Sequence, residues 1–184
     1  MSVNVREMDC SPEAVFAVLA DAWVFPTWVV GASRMRDVDG DWPEVGSKLH
    51  HSFGLWPLVI DDRTEMVEWD PPRRAVMQPA GWPLGEARVE IDVKPRGSGC
   101  VVRLVEFAVR GPGRLVPTPV ADALLAVRNR ETLTRLAHIA EGREGNHEAL
   151  ITGQGEEALP EQVDGEDGEA VDASASGSES PSTR

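Results

Sequence analysis

Two short stretches of this chain bring together residues able to do chemistry. His50-His51 places two imidazoles side by side, and Glu106 interrupts the strand-like run Cys100–Arg110 with a carboxylate. Neighbours on a strand point to opposite faces, so one histidine at most faces an interior. Leu49 and Phe53 share a face with His51, which makes His51 the inward choice, and an inward imidazole can act as acid or base near neutral pH. Glu106 lies on a face with Val102, Leu104 and Ala108. The opposite face carries Val101, Val105, Phe107 and Val109, broken by Arg103, so the pattern leaves the inner face open. If Glu106 is buried it needs a partner, and Asn129, His51 and Arg128 are the candidates. Six tryptophans complete the inventory. Trp28, Trp56 and Trp82 fall at or near predicted loops, where large indoles suit the wall of a pocket for an apolar ligand. Each of these residues also has a purely structural reading: core packing for tryptophan, a satisfied hydrogen bond for the histidine and the glutamate.

Other chemistries are not supported. Adjacent histidines cannot converge on one ion, and His138 and His147 lie far along the chain, so no metal site and no cofactor is expected. No basic patch stands out, which argues against nucleic acid as a partner. No apolar run approaches about 18 residues, so no membrane span is expected. Met1–Arg6 lacks the pattern of a signal peptide, and Cys10 and Cys100 are too few for a disulfide framework. A reducing cytoplasm is the expected location. Arginine outnumbers lysine 16 to 2, a composition associated with GC-rich bacterial genomes.

The elements that must position these residues follow from pattern. Ser11 caps a helix, Pro12 fits its first position, and Glu13 suits the positive end of its dipole. Val15, Phe16, Leu19, Ala22 and Trp23 then recur at helical spacing. Val3–Asp9 precedes it as a strand. Pro26 limits Phe25–Gly31 to a short second helix. Strands are expected at Ser33–Asp39, Gly46–Gly54, Leu58–Glu68, Arg74–Gln78, Glu86–Lys94 and Cys100–Arg110. Among these, Ala87, Val89, Ile91 and Val93 alternate cleanly with charged residues. A long helix over Thr118–Glu141 carries Ala121, Leu125, Arg128, Thr132, Leu136 and Ile139, with Asn129 beside Leu125, and Gly142 is its expected stop.

Residues 1–142 contain every aromatic residue. Residues 143–184 contain none, and their 11 acidic and 2 basic side chains give −9 of the total −13. The reading is one domain over 1–142 and a disordered acidic tail over 143–184. A sheet of about seven antiparallel strands twists and curls, and one long helix must cover its apolar face.

The chain resembles the START-like superfamily, also called SRPBCC, in its polyketide cyclase/dehydrase and lipid transport branch. The matching residues are Ser11-Pro12-Glu13-Ala14-Val15-Phe16, Asp21, Phe25, Trp28, Pro43, Gly46, Val102, Glu106, Gly111-Pro112, Asn129 and Leu136. The resemblance implies an α+β helix-grip fold, a curved antiparallel sheet around the C-terminal helix with a hydrophobic cavity between them. It favours Val102, Leu104 and Glu106 as the cavity face and brings Cys10 near Cys100. It implies a monomer or homodimer that binds a small hydrophobic molecule: a lipid, polyketide or aromatic metabolite. The expected contacts are Trp28, His51, Phe53, Trp56, Trp82, Glu106, Leu125 and Asn129. The alternative is a polyketide cyclase, aromatase or dehydratase with Glu106 and His51 as acid and base.

Overall fold

A computed structural model describes residues 1–55, 57–81, 85–112 and 118–152. The elements run in the expected order. Strand β1 (Ser2–Met8) leads to helix α1 (Pro12–Leu19), a 3-10 turn (Ala22–Val24) and the short helix α2 (Phe25–Trp28). Six strands follow: β2 (Ala32–Asp39), β3 (Lys48–Leu55), β4 (Leu58–Asp70), β5 (Arg74–Pro79), β6 (Ala87–Arg96) and β7 (Gly99–Ala108). Helix α3 (Thr118–Thr152) closes the described chain.

The strands form one antiparallel sheet in the order β1-β7-β6-β5-β4-β3-β2. Strands β2 to β7 pair with their sequence neighbours, while β1 reaches the far edge and pairs with β7. Register shifts in β2, at Ala32/Arg34 and Met35/Asp37, and in β4, at Met66/Glu68, bend the sheet. Its concave face carries Leu49, Met66, Ala75, Met77, Ile91, Val93, Val102 and Leu104, all buried. Val15, Phe16, Val18 and Leu19 of α1, Phe25 and Trp28 of α2, and Leu133, Leu136, Ala137 and Ala140 of α3 complete the core. Each of the Val, Leu, Ile, Phe and Met side chains among them contributes about 1.5–3 kcal/mol on leaving water. The expected helix-grip architecture is what the chain adopts.

Strand β1 inverts the usual polarity. Ser2 and Met8 are buried and Asn4 and Arg6 half-buried, whereas Val3 and Val5 point outward, 45% and 61% exposed. The inward polar groups meet α3. The N-terminal amine pairs with Asp122, Asn4 Nδ2 donates to the carbonyl of Ala126 (2.9 Å), and Arg6 Nη1 donates to Thr134 Oγ1 (3.1 Å). Further along, the Asp9 amide donates to Glu141 (3.0 Å). The helix therefore runs parallel to β1.

That brace corrects the expected end of the helix. Gly142 was the expected stop, yet α3 continues to Thr152. The reason is tertiary. Glu144 accepts hydrogen bonds from the Ser11 amide and the Ser11 hydroxyl, and Arg143 pairs with Asp21 at 2.8 Å. These contacts outweigh a cost of about 1 kcal/mol for glycine inside a helix. Ser11 also caps α1 by accepting from the Ala14 amide, as expected. Replacing Glu144 by alanine removes the link between the two helices. The expected loss is about 1–2 kcal/mol in urea unfolding, greater than for a solvent-facing glutamate on the same helix.

Candidate functional site

Two polar clusters enter the interior from opposite parts of the sheet. The first is on β3 and β4. His51 shares the inner face with Leu49, as expected, and is 2% exposed. Its Nε2 lies 2.9 Å from Thr64 Oγ1, and its ring packs 5.0 Å from Phe25 of α2. Phe25 in turn meets Trp28 edge-on at 5.4 Å. Asp62, the cross-strand neighbour of His51, accepts from the Gly81 amide at 3.0 Å. His50 points the other way, to Asp39.

The second cluster lies on β7 and α3. Glu106 is 5% exposed and joins Val102 and Leu104 on the buried face. Arg128 Nη2 donates to Glu106 Oε2 at 2.5 Å, so of the three candidate partners Arg128 fills the role. Asn129, 1% exposed, accepts through Oδ1 from Arg128 Nε and Nη2 at 3.3 and 3.2 Å. An arginine only donates, which fixes the amide with its oxygen toward Arg128 and its Nδ2 away. One turn on, Thr132 Oγ1 accepts from the Val30 amide at 3.3 Å and ties α3 to the residues just after α2.

Three of the buried atoms in and around these clusters have no hydrogen-bond partner among the described residues: Trp28 Nε1, His51 Nδ1 and Asn129 Nδ2. A water molecule or a ligand oxygen supplies the kind of partner each of these atoms lacks among the described residues. The indole and the amide can only donate. The imidazole donates or accepts at Nδ1 according to the role Nε2 takes with Thr64.

The remaining expected site residues divide. Phe53 is half-buried, its ring filling the space where a side chain at Gly31 would stand; Gly31, at φ +101°, makes that approach possible. Leu125 is half-buried on α3, one turn before Asn129. Trp56 and Trp82 lie outside the described residues. Two other tryptophans pack in the core: Trp69 against Phe16, and Trp42 with its Nε1 donating to the Leu19 carbonyl. Sequence reasoning missed Thr64 and Thr132, two buried hydroxyls whose signal was their spacing from His51 across the β3–β4 pairing and from Asn129 along the helix. It also missed Phe25 as the ring that joins His51 to Trp28.

Glu106 and His51 do not meet. Strands β6, β5 and β4 lie between their strands, a path of about 19 Å along the sheet. Cys10 and Cys100 do come together. Met8 pairs with Cys100 in register, and the two thiols are free, buried and close enough to affect each other's titration. Burial, reinforced by Cys100 and by Glu144, pushes the Cys10 thiol up to about 12, which keeps it protonated. Among the described residues no cluster of histidine, cysteine and carboxylate could hold a metal, and no helix is long and apolar enough to cross a membrane.

A seven-stranded antiparallel sheet gripping a long C-terminal helix, with isolated polar groups set in an apolar interior, defines a helix-grip protein. The chain belongs to the polyketide cyclase/dehydrase and lipid transport family, whose pattern matches residues 2–141. No curated protein is similar enough in sequence to count as a relative. Solved structures share the fold. Protein CV1439 from Chromobacterium violaceum is 16% identical over 76% of this chain and 96% of its own, with a TM-score of 0.60. Ara h 8.0201 is 10% identical, covering 76% and 96% at a TM-score of 0.59. StfQ, a di-domain ARO/CYC from the steffimycin biosynthetic pathway, is 17% identical over 78% of this chain at a TM-score of 0.61. This chain spans 51% of it. At these identities the likeness is one of fold.

The histidine has a measurable consequence. Burial lowers the His51 pKa from its ordinary 6.5; Asp62 opposes this and Arg36 and His50 add to it. The unfolded chain therefore takes up this proton at a higher pH than the folded one. Stability from the neutral imidazole is present above about pH 6.5 and is lost as pH falls toward the folded-state value. Urea midpoints measured from about pH 8 down to about pH 5 are expected to fall more steeply for the native chain than for His51→Gln.

Proposed function

We propose that this chain binds a small, mainly apolar molecule carrying oxygen atoms between the sheet and the helices. Family membership supports an apolar ligand in general terms. The observation that carries the finer reading is the set of three buried, unpartnered polar atoms, Trp28 Nε1, His51 Nδ1 and Asn129 Nδ2. They come from three different elements, α2, β3 and α3. Apolar burial supplies affinity, and donors of this kind orient a carbonyl or hydroxyl of the ligand. Lipids, polyketides and aromatic metabolites with oxygen substituents all have the required chemistry. Glu106 and Arg128, paired with each other, serve to hold α3 and Asn129 in place. The buried, protonated thiols are in keeping with a reducing cytoplasm.

Catalysis on such a molecule has less support. A cyclisation or dehydration needs an acid and a base at one reacting centre. Glu106 Oε2 is taken by Arg128, and His51 lies on β3, with three strands between it and β7.

Mass spectrometry of whatever co-purifies with the protein, followed by tryptophan fluorescence titration with that class of molecule, tests the binding. Asn129→Leu makes the test specific. The change removes the unpartnered Nδ2 together with the Oδ1 that Arg128 meets at 3.2–3.3 Å, so the stability of the empty protein in thermal unfolding is expected to change by no more than about 1 kcal/mol. The same change is expected to weaken binding of an oxygenated ligand by about tenfold, the equivalent of one hydrogen bond of about 1.4 kcal/mol. Unchanged affinity in Asn129→Leu and in Trp28→Phe alike would remove these atoms from the site.

A further inference from the structure

The inverted strand β1 leaves a recess on the outside of the grip. It has a volume of about 290 Å³ and is lined by Val3, Asn4, Val5 and Arg6 on β1 and by Arg130 and Leu133 on α3. Strand β1 is the last strand of the sheet, so one edge of its backbone faces no other strand. Val3 and Val5 line it on β1, and the first half of α3 also exposes the apolar side chains Leu124 and Val127, 69% and 73% exposed. Val127 stands one turn before Arg130.

The charge of the recess is the second observation. This chain has 31 carboxylates against 18 lysines and arginines, yet Arg6 and Arg130 both line the recess and neither pairs with a carboxylate among the described residues. Arg6 donates through Nη1 to Thr134, and its buried Nε has no partner among the described residues. A free strand edge, the outward valines Val3 and Val5, and two guanidiniums without a carboxylate partner among the described residues fit an extended acidic segment, which adds to a sheet edge through its backbone. The volume admits a few residues of extended chain, so a longer segment seats only part of itself in the recess and the rest runs along the strand edge.

We propose that the acidic stretch Asp164–Asp172 of this chain docks in the recess between β1 and α3. Its sequence, DGEDGEAVD, supplies five carboxylates and the apolar pair Ala170-Val171. Reach selects this part of the tail. From Arg130 to Thr152 helix α3 rises about 33 Å. Glu156 and Glu157 follow so soon after Thr152 that full extension returns them only about 17 Å. Glu166 and Glu169 have a reach of about 48–58 Å, which spans the gap with slack. Tethering in the same chain raises the local concentration of the segment to roughly the millimolar range, so modest contacts suffice. Guanidinium–carboxylate pairs at the surface make the docking sensitive to salt.

Hydrogen exchange of the backbone amides of Ser2–Met8, read by mass spectrometry on the full-length chain, tests this. In the native chain these amides are expected to exchange several-fold more slowly at low salt than at high salt, independently of protein concentration. The triple change Glu166→Gln, Asp167→Asn, Glu169→Gln is expected to abolish that slowing. It lies outside the folded elements described here and leaves β4–β6 exchange as a control. Arg130→Glu is expected to do the same, and Glu156→Gln with Glu157→Gln to leave the slowing intact. Three results overturn the proposal. One is equal exchange at Ser2–Met8 in the native chain and the triple variant. Another is slowing lost equally in the Glu156/Glu157 variant. The third is slowing that grows with protein concentration, which would assign the edge to a second copy of the chain.

Discussion

Everything inside this protein is aligned by the polar seam between β1 and α3. A long helix could lie across a curved apolar sheet in several registers, because apolar contacts are non-directional. The hydrogen bonds from the N-terminus, Asn4, Arg6, Asp9 and Ser11 to successive turns of α3 allow one. They set the helix parallel to the strand and fix its rotation. That rotation turns Arg128 to Glu106 and Asn129 inward, and puts Leu133, Leu136, Ala137 and Ala140 into the core. The arrangement holds only because β1 presents serine, asparagine and arginine where an ordinary strand presents valine.

The interior that results is apolar with a few separated polar points. On the β3 side α2 provides the cover: Phe25 lies on His51 and edge-on to Trp28. On the β7 side α3 does. The Val30–Thr132 hydrogen bond joins the two covers. For the binding proposed above, such an interior would select a guest by where it carries its oxygen atoms, since apolar surface alone accepts any molecule of suitable size. The ion pair of Glu106 with Arg128 is a structural fixture in such an arrangement, because each charge satisfies the other where water is scarce.

Local pattern made the architecture readable. Ala87, Val89, Ile91 and Val93 alternate without a break, and Ser11-Pro12-Glu13 starts a helix by three independent effects, so β6 and the start of α1 were legible; the helical stripe was read too far, since α1 ends at Leu19 and Trp23 stands exposed in the 3-10 turn. The inward choice of His51 over His50 followed from the same period of two. The end of α3 was not legible. Gly142 is a stop signal only while nothing outside the helix holds the next turn, and the partners of Glu144 and Arg143 are more than 120 residues away. The polarity of β1 was not legible for a similar reason: the sequence marks Val3–Asp9 as a strand, but which of its faces is inward depends on the groups of α3 that meet Asn4 and Arg6. The partner of Glu106 stayed open among three residues, and only the rotation of α3 singles out Arg128.

The seam also dictates when the fold can be completed during synthesis. β1 is made first, and its partners are made last: β7 ends at Ala108, and the contacts of α3 extend to Glu144. A nascent chain that has released β2 to β6 can form the central meander from neighbouring hairpins. Its N-terminal strand meanwhile has polar groups directed at a helix that does not yet exist. Premature pairing of β1 with the growing sheet gains little, since the face it would bury is the polar one. The same residues that lock the finished protein therefore keep its first strand uncommitted until the last helix has left the ribosome.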